Sequence, residues 1–510
     1  MDKDFIIVRM RYLYILAACL FMILGCEKVD RYPDVPQPEK PTEKPEEKPE
    51  EKPEEPEDPP VGNGITPFTP ADVKDAGVSY IWGSNTIPEI TIWVTKDEWN
   101  SFLKRYDQNN NNADFFHCDV TFKKGVETIT VGDAGFRMRG NTSRRRPEGG
   151  SGQMHSSKPD WHHCHFAVNL RKYHKDDDHT IYGIRKFNLK WHKDDPCYVR
   201  EMYCYDLFRR YGIWTAPFDS YCRLWIHVDG DKDPAYFGVY ELIESIDEEY
   251  VERRENQFEN DKGHLWKCVY GNVGMADLKN AEDWRFNYDK NDGVNYTYEF
   301  KGKETEFATA REQFQDFITK LNTLQGEQFY NWIQKVCDVK MLMKTYAVNV
   351  TVGMWDDHWN NGNNFYLYFN SKDRENYKVW LIPYDYDNTL GTSADCGIQG
   401  DSGTTDPYKW GKDGVLIKRL LEFEPFRKMY REAFQELIDP ANKLFDMETS
   451  IARITEWQNM IGPYVSNDTG EDMSIYDHPA HWSNRPNYRL MDPGANNFFR
   501  VKTEVLKNMK

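Results

Sequence analysis

Two aromatic, strand-like runs follow each other closely in the C-terminal third of the chain, at residues 365–368 and 380–384. Aromatic and β-branched side chains of this kind favour extended strands. Polar residues 355–364 precede the first run, and the acidic segment 385–389 follows the second. The two runs predict an antiparallel hairpin, which places the residues at its strand ends side by side. The order therefore predicts that carboxylate and amide side chains meet at one end of this hairpin.

Carboxylates and an amide in this order are typical of phosphoryl-transfer enzymes. In those enzymes one Asp orients the acceptor hydroxyl, an Asn helps to hold a metal ion, and a later Asp binds the metal on the phosphates. A structural alternative stays open, because Asp and Asn are common turn residues at strand ends. Residues 385–389 also fit the Asp-x-Asp-x-Thr pattern of haloacid-dehalogenase phosphatases. Those enzymes carry the pattern on the first strand of a parallel sheet, whereas here it follows predicted antiparallel hairpins.

The N-terminus has the features of an export signal. Arg9 and Arg11 precede the apolar residues 12–24, a stretch about as long as a signal-peptide core and short for a bilayer span. The stretch ends at Cys26 in a sequence that resembles a bacterial lipobox, which predicts a signal peptide over residues 1–25 and lipidation of Cys26. An ordinary signal peptide or a short anchor is the alternative. The prediction is an exported protein held by lipid in the bacterial cell envelope, at the outer membrane or cell surface.

The composition of residues 26–61 predicts a disordered tether. The unit Lys-Pro-Glu-Glu recurs at Lys44, Lys48 and Lys52, and frequent proline favours extended polyproline II over helix or sheet. Apolar residues are nearly absent, so this segment cannot form a core. Residues 27–61 carry 13 acidic and 6 basic side chains and thus −7 of the net charge of −18. The remaining residues 62–510, predicted to form the folded domain, are mildly acidic, which argues against a nucleic-acid partner.

Within the folded domain, the pattern predicts an α+β protein: a β-rich N-terminal part with antiparallel hairpins, a helical middle, the hairpin described above and a helical tail. A helix is predicted over residues 96–105 with Thr95 as its N-cap. Further helices are predicted over 199–211 and through most of 308–350 and 414–510. The strands are predicted at residues 89–94, 118–122, 128–131, 136–139, 166–170, 187–191, 224–228 and 237–243.

Cysteine and histidine raise two further questions. No Cys-x-x-Cys pair occurs, so a zinc ribbon is not expected. The eight cysteines beyond Cys26 are expected to be mostly buried thiols, with one or two disulfides open, since export permits them. A zinc site is a second hypothesis. Its candidate ligands are His155, His162, His163, Cys164 and His165. The alternative is that these histidines have no common role, since long loops often carry histidines that do not share a ligand.

Six segments in order resemble the spore coat protein H family, the CotH kinases. Arg137 to Ser143 resembles the family's R-x-R-G-N-S-S, and residues 237–244 resemble G-x-Y-x-L-x-E. The other four resembling segments are 187–190 with 199–201, 265–267, 357 with 364–368, and 382–387. The resemblance covers most of residues 85–505. One departure concerns the strand at residues 166–170, where the family usually has a preceding lysine; this chain has residues 162–165 there, with Lys158 further back.

The resemblance implies an atypical protein-kinase-like, two-lobed fold that uses ATP with Mg²⁺ or Mn²⁺ to phosphorylate Ser or Thr of a protein in the cell envelope. It implies that Asp357 is the catalytic carboxylate, with Asp356 as the register alternative. The other implied roles are metal binding by Asn364, Asp385 and Asp387, phosphate contact by Arg139, and an ion pair of Lys267 with Glu244 that aligns the nucleotide. For Arg139 a solvated strand end, and for Lys267 and Glu244 a surface salt bridge, are the alternatives. A non-catalytic surface binding or adhesion protein on the same scaffold is the competing function.

Overall fold

The computed structural model describes residues 64–74, 76–83, 86–141, 143–174, 176, 178–288, 295–392, 401–411, 413–480 and 488–509. The predicted signal peptide, Cys26 and the predicted tether lie outside these residues, as does Cys396. The described part is a mixed α+β structure. None of its helices combines the length and the apolar composition needed to cross a bilayer.

Seven strands form a closed barrel. In spatial order they are β1, β2, β3, β4, β5, β7 and β6, and β6 returns to β1. All neighbours are antiparallel except β1 and β6, which are parallel. Their bounds are β1 Glu89–Val94, β2 Phe116–Lys124, β3 Glu127–Arg139, β4 His165–Asn169, β5 Lys186–Lys190, β6 Asp219–Val228 and β7 Ala235–Glu244.

Alternation along the strands builds the barrel core. Ile90 and Ile92 of β1 point inward and are fully buried, while their neighbours face outward. Phe136 and Phe166 join them from β3 and β4. The same alternation turns Arg137 and Arg139 away from this core, so basic side chains line the outer face of β3.

Two helices lie beside the barrel, and the second begins at the residue that the sequence predicts. Helix α1 is Ala76–Trp82, and helix α2 is Lys96–Gln108. The Thr95 side chain accepts a hydrogen bond from the Glu98 N–H at 3.2 Å, which confirms its role as N-cap. Trp99 and Phe102 of α2 pack into the barrel core. This amphipathic helix covers one side of the barrel.

A second sheet of five strands has the order β12, β11, β8, β10, β9. The predicted hairpin is confirmed: β11 and β12 are antiparallel, with Phe365 opposite Pro383. Strand β8 pairs with the other side of β11 and brings Lys267 opposite Tyr366. The bounds are β8 His264–Cys268, β9 Phe286–Asn287, β10 Tyr298–Phe300, β11 Phe365–Phe369 and β12 Val379–Pro383.

Ten helices of the described residues follow the barrel's fifth strand, and most pack with the second sheet around one core. Fully buried aromatic side chains such as Trp266, Tyr346 and Phe434 fill it. The helices are α3 Arg200–Arg210, α4 Glu248–Arg253, α5 Glu255–Phe258, α6 Phe307–Thr323, α7 Gly326–Val336, α8 Val339–Thr351, α9 Val415–Leu420, α10 Glu424–Ile438, α11 Met447–Ile461 and α12 Phe498–Lys507.

Two expectations are refined by these observations. The predicted β-rich N-terminal lobe with antiparallel hairpins is a closed seven-stranded barrel, because β1 pairs in parallel with the distant β6, and this architecture is not specifically that of a two-lobed kinase. The coarser expectation of an α+β fold is confirmed. Seven cysteines of the described residues are buried free thiols, as expected for most of them, and no disulfide joins any two of these seven.

Candidate functional site

A cavity of about 1280 Å³ opens between the outer face of the barrel and the second sheet. Strands β3, β4 and β5 supply one wall through Arg139, His165 and Lys190, which are aligned across the strands. Strands β8 and β11 supply another through Lys267 and Tyr366. The segments before β11 and after β12 reach the same space. The hairpin therefore delivers its polar ends to a cavity that the barrel completes.

Lys190 lies at the centre of a charged cluster on this wall. Its ammonium forms ion pairs with Glu201 and Asp385 and lies 3.2 Å from Asp387 Oδ2. The residue is 4% exposed. Burial opposes the charge on Lys190, but the surrounding carboxylates outweigh it and raise its pKa well above the usual value. Lys190 therefore remains an ammonium at neutral pH.

Helix α3 presents Glu201 to this cluster from its first turn. Asp195 fixes the start of the helix, because one carboxylate oxygen accepts hydrogen bonds from Val199 N and Arg200 N at 2.8 Å. Glu201 Oε1 then accepts bonds from the Tyr205 hydroxyl at 2.9 Å and from Tyr386 N at 3.3 Å. Its other oxygen pairs with Lys190. Both oxygens of Glu201 are thus held, and its position is set by the helix and by the segment after β12.

Three carboxylates of the cluster could hold a metal ion. Ligand oxygens of Glu201, Asp385 and Asp387 lie within 4.8 Å of one another. Among the described residues, this is the cluster of His, Cys, Asp or Glu side chains that is close enough to hold a metal ion. Carboxylate oxygens are the ligands that Mg²⁺ and Mn²⁺ prefer. Burial raises the pKa of Asp387 to about 8, whereas for Asp385 the charge of Lys190 overcomes burial and lowers the pKa. The donor set fits a hard divalent cation, with Lys190 balancing the charge.

The backbone turns sharply where the acidic segment begins. Asp385 has a φ of 63°, in the left-handed region, and its N–H donates to the Tyr205 hydroxyl at 2.9 Å. Non-glycine residues in this region are uncommon and often mark functional sites. Tyr384, just before the turn, accepts a hydrogen bond from the Arg139 guanidinium. The turn therefore separates a side chain that binds Arg139 from carboxylates that bind Lys190.

The two adjacent aspartates before β11 differ in their surroundings. Asp356 lines the cavity, and the side-chain amides of three asparagines donate hydrogen bonds to its carboxylate at 2.6–3.2 Å. These are Asn361, Asn363 and Asn364. Asp357 is 2% exposed and is bound by Asn360 N and by the Asn349 amide, and burial raises its pKa to about 7. The structure thus brings Asp356, the register alternative, to the cavity and leaves Asp357 beneath it.

The predicted ion pair of Lys267 and Glu244 is not formed. Glu244 is completely buried and pairs with Arg253 and Arg254 at 2.9 and 2.7 Å. Glu244 is the last residue of β7, and its side chain contacts the segment after the barrel, which carries both arginines. Lys267 does line the cavity, with its ammonium 5.7 Å from the centre of the Tyr384 ring, and burial lowers its pKa to about 8. The ion pair between a strand lysine and a helix glutamate is formed instead by Lys190 of β5 and Glu201 of α3.

Four of the residues that the sequence analysis proposed for the site, Arg139, Asn364, Asp385 and Asp387, line the cavity. One nitrogen of Arg139, Nη1, is buried without a hydrogen-bond partner. Such a donor is costly unless something accepts from it. This observation fits an anionic group bound beside Arg139.

The histidines of the zinc hypothesis do not converge. His155 lies between Glu148 and Asp231, at 3.0 Å from each. His163 Nε2 bonds the Phe237 carbonyl, and His165 Nδ1 accepts from a backbone N–H. The remaining two candidates go elsewhere: His162 bonds Glu471, and Cys164 lies in the barrel core. His162 and His163 share Glu471 as a neighbour, whereas His155, Cys164 and His165 lie in other surroundings, so the five candidates do not form one ligand set.

The phosphatase pattern also lacks its setting. Asp385 follows β12, which pairs antiparallel with β11. The catalytic aspartate of those phosphatases requires a strand of a parallel sheet, so this alternative is not supported.

Sequence reasoning missed Lys190 and Glu201 as site residues. Both lie in segments that were recognised, at the end of a strand and in the first turn of the next helix. The sequence did contain a signal for this pair: β5 ends in a lysine, and the first turn of the next helix is acidic.

Comparisons with known proteins identify the family of this chain. The chain matches the family described as CotH kinase protein over residues 136–489. It is 25% identical over 294 residues to the inner spore coat protein H of Bacillus subtilis (strain 168), an alignment that covers 57% of this chain and 71% of that protein. The family match includes Arg139, Lys190, Glu201, Asp356 and the acidic segment after β12. The chain belongs to the CotH kinase protein family.

Proposed function

We propose that this protein transfers the γ-phosphate of ATP to a Ser or Thr hydroxyl of another protein, with Mg²⁺ or Mn²⁺. The observation that carries the proposal is the buried pair of Lys190 and Glu201, joined to Asp385 and Asp387 in one cavity. Protein kinases place a lysine on a strand, a glutamate on the following helix and a metal-binding aspartate after a later strand. Strand β5, helix α3 and the segment after β12 supply these groups in the same order.

The charges of the cluster suit nucleotide phosphates. Glu201 holds the Lys190 ammonium in place, so that Lys190 can contact phosphate oxygens without losing its orientation. Asp385 and Asp387, with Glu201 beside them, would hold the divalent ion, which supplies positive charge to offset the charge of the transferring phosphoryl group. Arg139 and Lys267 add positive charge on the two facing walls. Fixed donors of this kind stabilise the transition state because they need no reorganisation during the reaction.

Asp356 is the proposed base that orients the acceptor hydroxyl. It lies in the cavity, and three asparagine amides restrict its carboxylate. Burial raises its pKa above the usual value, and the amide hydrogen bonds, which favour the charged form, offset only part of this rise. Asp356 would accept the hydroxyl proton as the oxygen attacks. Asp357 instead ties the loop to helix α8 through Asn349.

The proposed location is the cell envelope. The relative from Bacillus subtilis is by name a protein of the inner spore coat. For this chain the predicted signal peptide and the lipobox-like sequence at Cys26 support an exported, lipid-anchored protein whose acceptors are other envelope proteins.

A titration and a labelling assay test the proposal. The purified chain is titrated with ATP with and without Mg²⁺ or Mn²⁺, and transfer of the labelled γ-phosphate to itself or to envelope proteins is measured. Asp387→Asn preserves volume but removes a charge, so we expect labelling to fall by roughly a hundredfold or more. The matched control is Asp373→Asn, in an exposed turn outside the cavity. Equal labelling by wild type and Asp387→Asn would make Asp387 structural, and no metal-dependent ATP binding would favour the binding-protein alternative.

A further inference from the structure

The cavity extends beyond the cluster around Lys190. Its volume of about 1280 Å³ exceeds the roughly 300–1,000 Å³ that ligand pockets usually provide. Strand register shows how it continues: Arg139, His165 and Lys190 form one row, and the next row is Arg137, Ala167 and Asn188. Two residues along a strand correspond to about 7 Å. The second row therefore lies one such step from the proposed phosphoryl-transfer site.

Positive charge collects in this second region. The guanidinium of Arg137 and the ammonium of Lys172 both lie on the Phe115 ring, at 5.3 and 4.9 Å from its centre. Arg144 also lines the cavity, and its guanidinium donates to the carbonyl groups of Asn110, Asn112 and Gly140. Across the described part of the chain, no carboxylate forms an ion pair with any of these three cations. Arginines elsewhere commonly have one, for example Arg146 with Asp107 and Arg254 with Glu244.

The electrostatic consequence appears in two pKa shifts. Burial lowers the pKa of Arg137, and the neighbouring charge of Arg139 lowers it further. Burial, followed by the charges of Arg137 and Arg139, lowers the pKa of Arg144 to about 10. Glu299 is the carboxylate that faces Arg137, and it already accepts hydrogen bonds from Tyr296 and Lys301. The repulsion among these cations would be relieved by an anion from outside the chain.

The region is also closely packed around the cations. A Cβ added at Gly135 would lie 2.7 Å from the Lys172 side chain and 3.0 Å from Phe115. Glycine at this position of β3 therefore lets Lys172 and Phe115 approach the strand beside Arg137. Ala167, opposite Arg137 on β4, places only a methyl group on the cavity wall. The space over Gly135 is thus filled by Lys172 and Phe115, whereas the space over Ala167 belongs to the cavity and is open to a ligand.

We propose that Arg137, Arg144 and Lys172 form a second phosphate subsite, which binds a phosphoserine or phosphothreonine already present on the acceptor protein. The assignment of the ligand to the acceptor rests on the proposed function. Guanidinium and ammonium groups are the usual partners of phosphate dianions, and Arg binds them with paired hydrogen bonds. An acceptor anchored here would present a nearby hydroxyl to Asp356. The enzyme would then prefer acceptors that carry one phosphate close to the next site.

The test measures binding of N-acetyl-phosphoserine amide to the full-length protein by calorimetry, with the unphosphorylated compound as the comparison. We expect the wild type to bind the phosphorylated compound and not the unphosphorylated one. Arg137→Gln should lower the affinity for the phosphorylated compound about tenfold or more. Arg145→Gln, at an exposed arginine paired with Glu471 outside the cavity, is the matched control and should leave binding unchanged. Lys172→Met serves as a second variant if Arg137→Gln fails to fold. Absence of binding to the wild type, or unchanged binding in both variants, would overturn the proposal.

Two further arms separate the sources of phosphate. Saturating Mg²⁺ with a non-hydrolysable ATP analogue should leave the phosphoserine affinity within about twofold; displacement would show that nucleotide phosphates fill this subsite and would refute the acceptor assignment. Asp387→Asn should also leave it unchanged, although it removes label transfer. Phosphoserine binding without any metal-dependent ATP binding would contradict the kinase proposal and leave the phosphate subsite standing.

Discussion

Replacing Glu201 by glutamine removes one negative charge beside Lys190 and keeps the size of the side chain. The oxygen of glutamine can still accept from the Tyr205 hydroxyl and from Tyr386 N, which lie 2.9 and 3.3 Å from Glu201 Oε1. Lys190 keeps two of its three carboxylates, Asp385 and Asp387. The stability loss should therefore correspond to one charged hydrogen bond, about 1.5–3 kcal/mol.

The effect on phosphoryl transfer should be larger than the effect on stability. Without Glu201 the ammonium of Lys190 is no longer held on the side of helix α3, and one candidate metal ligand is lost. Loss of a fixed charge of this kind costs about 3–4 kcal/mol in the transition state, or roughly 100- to 1,000-fold in rate. Labelling from γ-labelled ATP is measured beside denaturant unfolding of the same samples.

Glu244→Gln is the matched control, since it changes the glutamate that the sequence had assigned to this role. Glu244 is fully buried and neutralises Arg253 and Arg254, so we expect a stability loss of about 3–5 kcal/mol. Its labelling per folded molecule should match the wild type. Full activity of Glu201→Gln, or selective loss of activity in folded Glu244→Gln, would refute the assignment of the lysine partner to Glu201.

Three other predictions follow from single side chains. Asp356→Asn should lower the labelling rate roughly a hundredfold, because Asp356 lies in the cavity. Asp357→Asn should mainly lower the denaturation midpoint, because Asp357 ties the loop to helix α8. The reverse pattern would identify Asp357 as the base. Burial raises the pKa of Asp219 to about 7 against the opposing charge of Arg209, so this carboxyl stabilises the fold below about pH 4 and loses that contribution as the pH rises to about 7. Asp219→Asn should then gain stability relative to the wild type over that range in unfolding titrations, and a constant difference would contradict the shift. Cys26→Ser should yield an unprocessed or soluble form in membrane fractionation, and unchanged processing and membrane attachment would contradict the lipobox assignment.

Local signals in the sequence predicted local structure well. The two aromatic runs predicted the hairpin of β11 and β12, and Thr95 with its acidic first turn predicted helix α2. Both depend on contacts between residues close in the chain. The parallel pairing of β1 with β6 joins residues more than a hundred positions apart, and no local pattern encodes that choice of partner.

The candidate site was predicted in part for the same reason. Asp385 and Asp387 follow a strand, so strand geometry alone places them at the cavity. The choice between Asp356 and Asp357 depends on how one tight loop turns, which the asparagines and helix α8 decide together. Glu244 was misassigned because its partners, Arg253 and Arg254, come from the segment after β7 rather than from β8.

The closure of the barrel by β1 has a practical consequence for truncation. The family match begins at residue 136, inside β3, so a fragment cut at that boundary would lack β1, β2 and most of β3. The remnant of β3 would then lose β2, and β6 would lose β1, and each would expose a row of unpaired backbone N–H and C=O groups. Open edges of this kind promote aggregation between molecules. A shortened protein that is to stay monomeric therefore needs to start before Glu89.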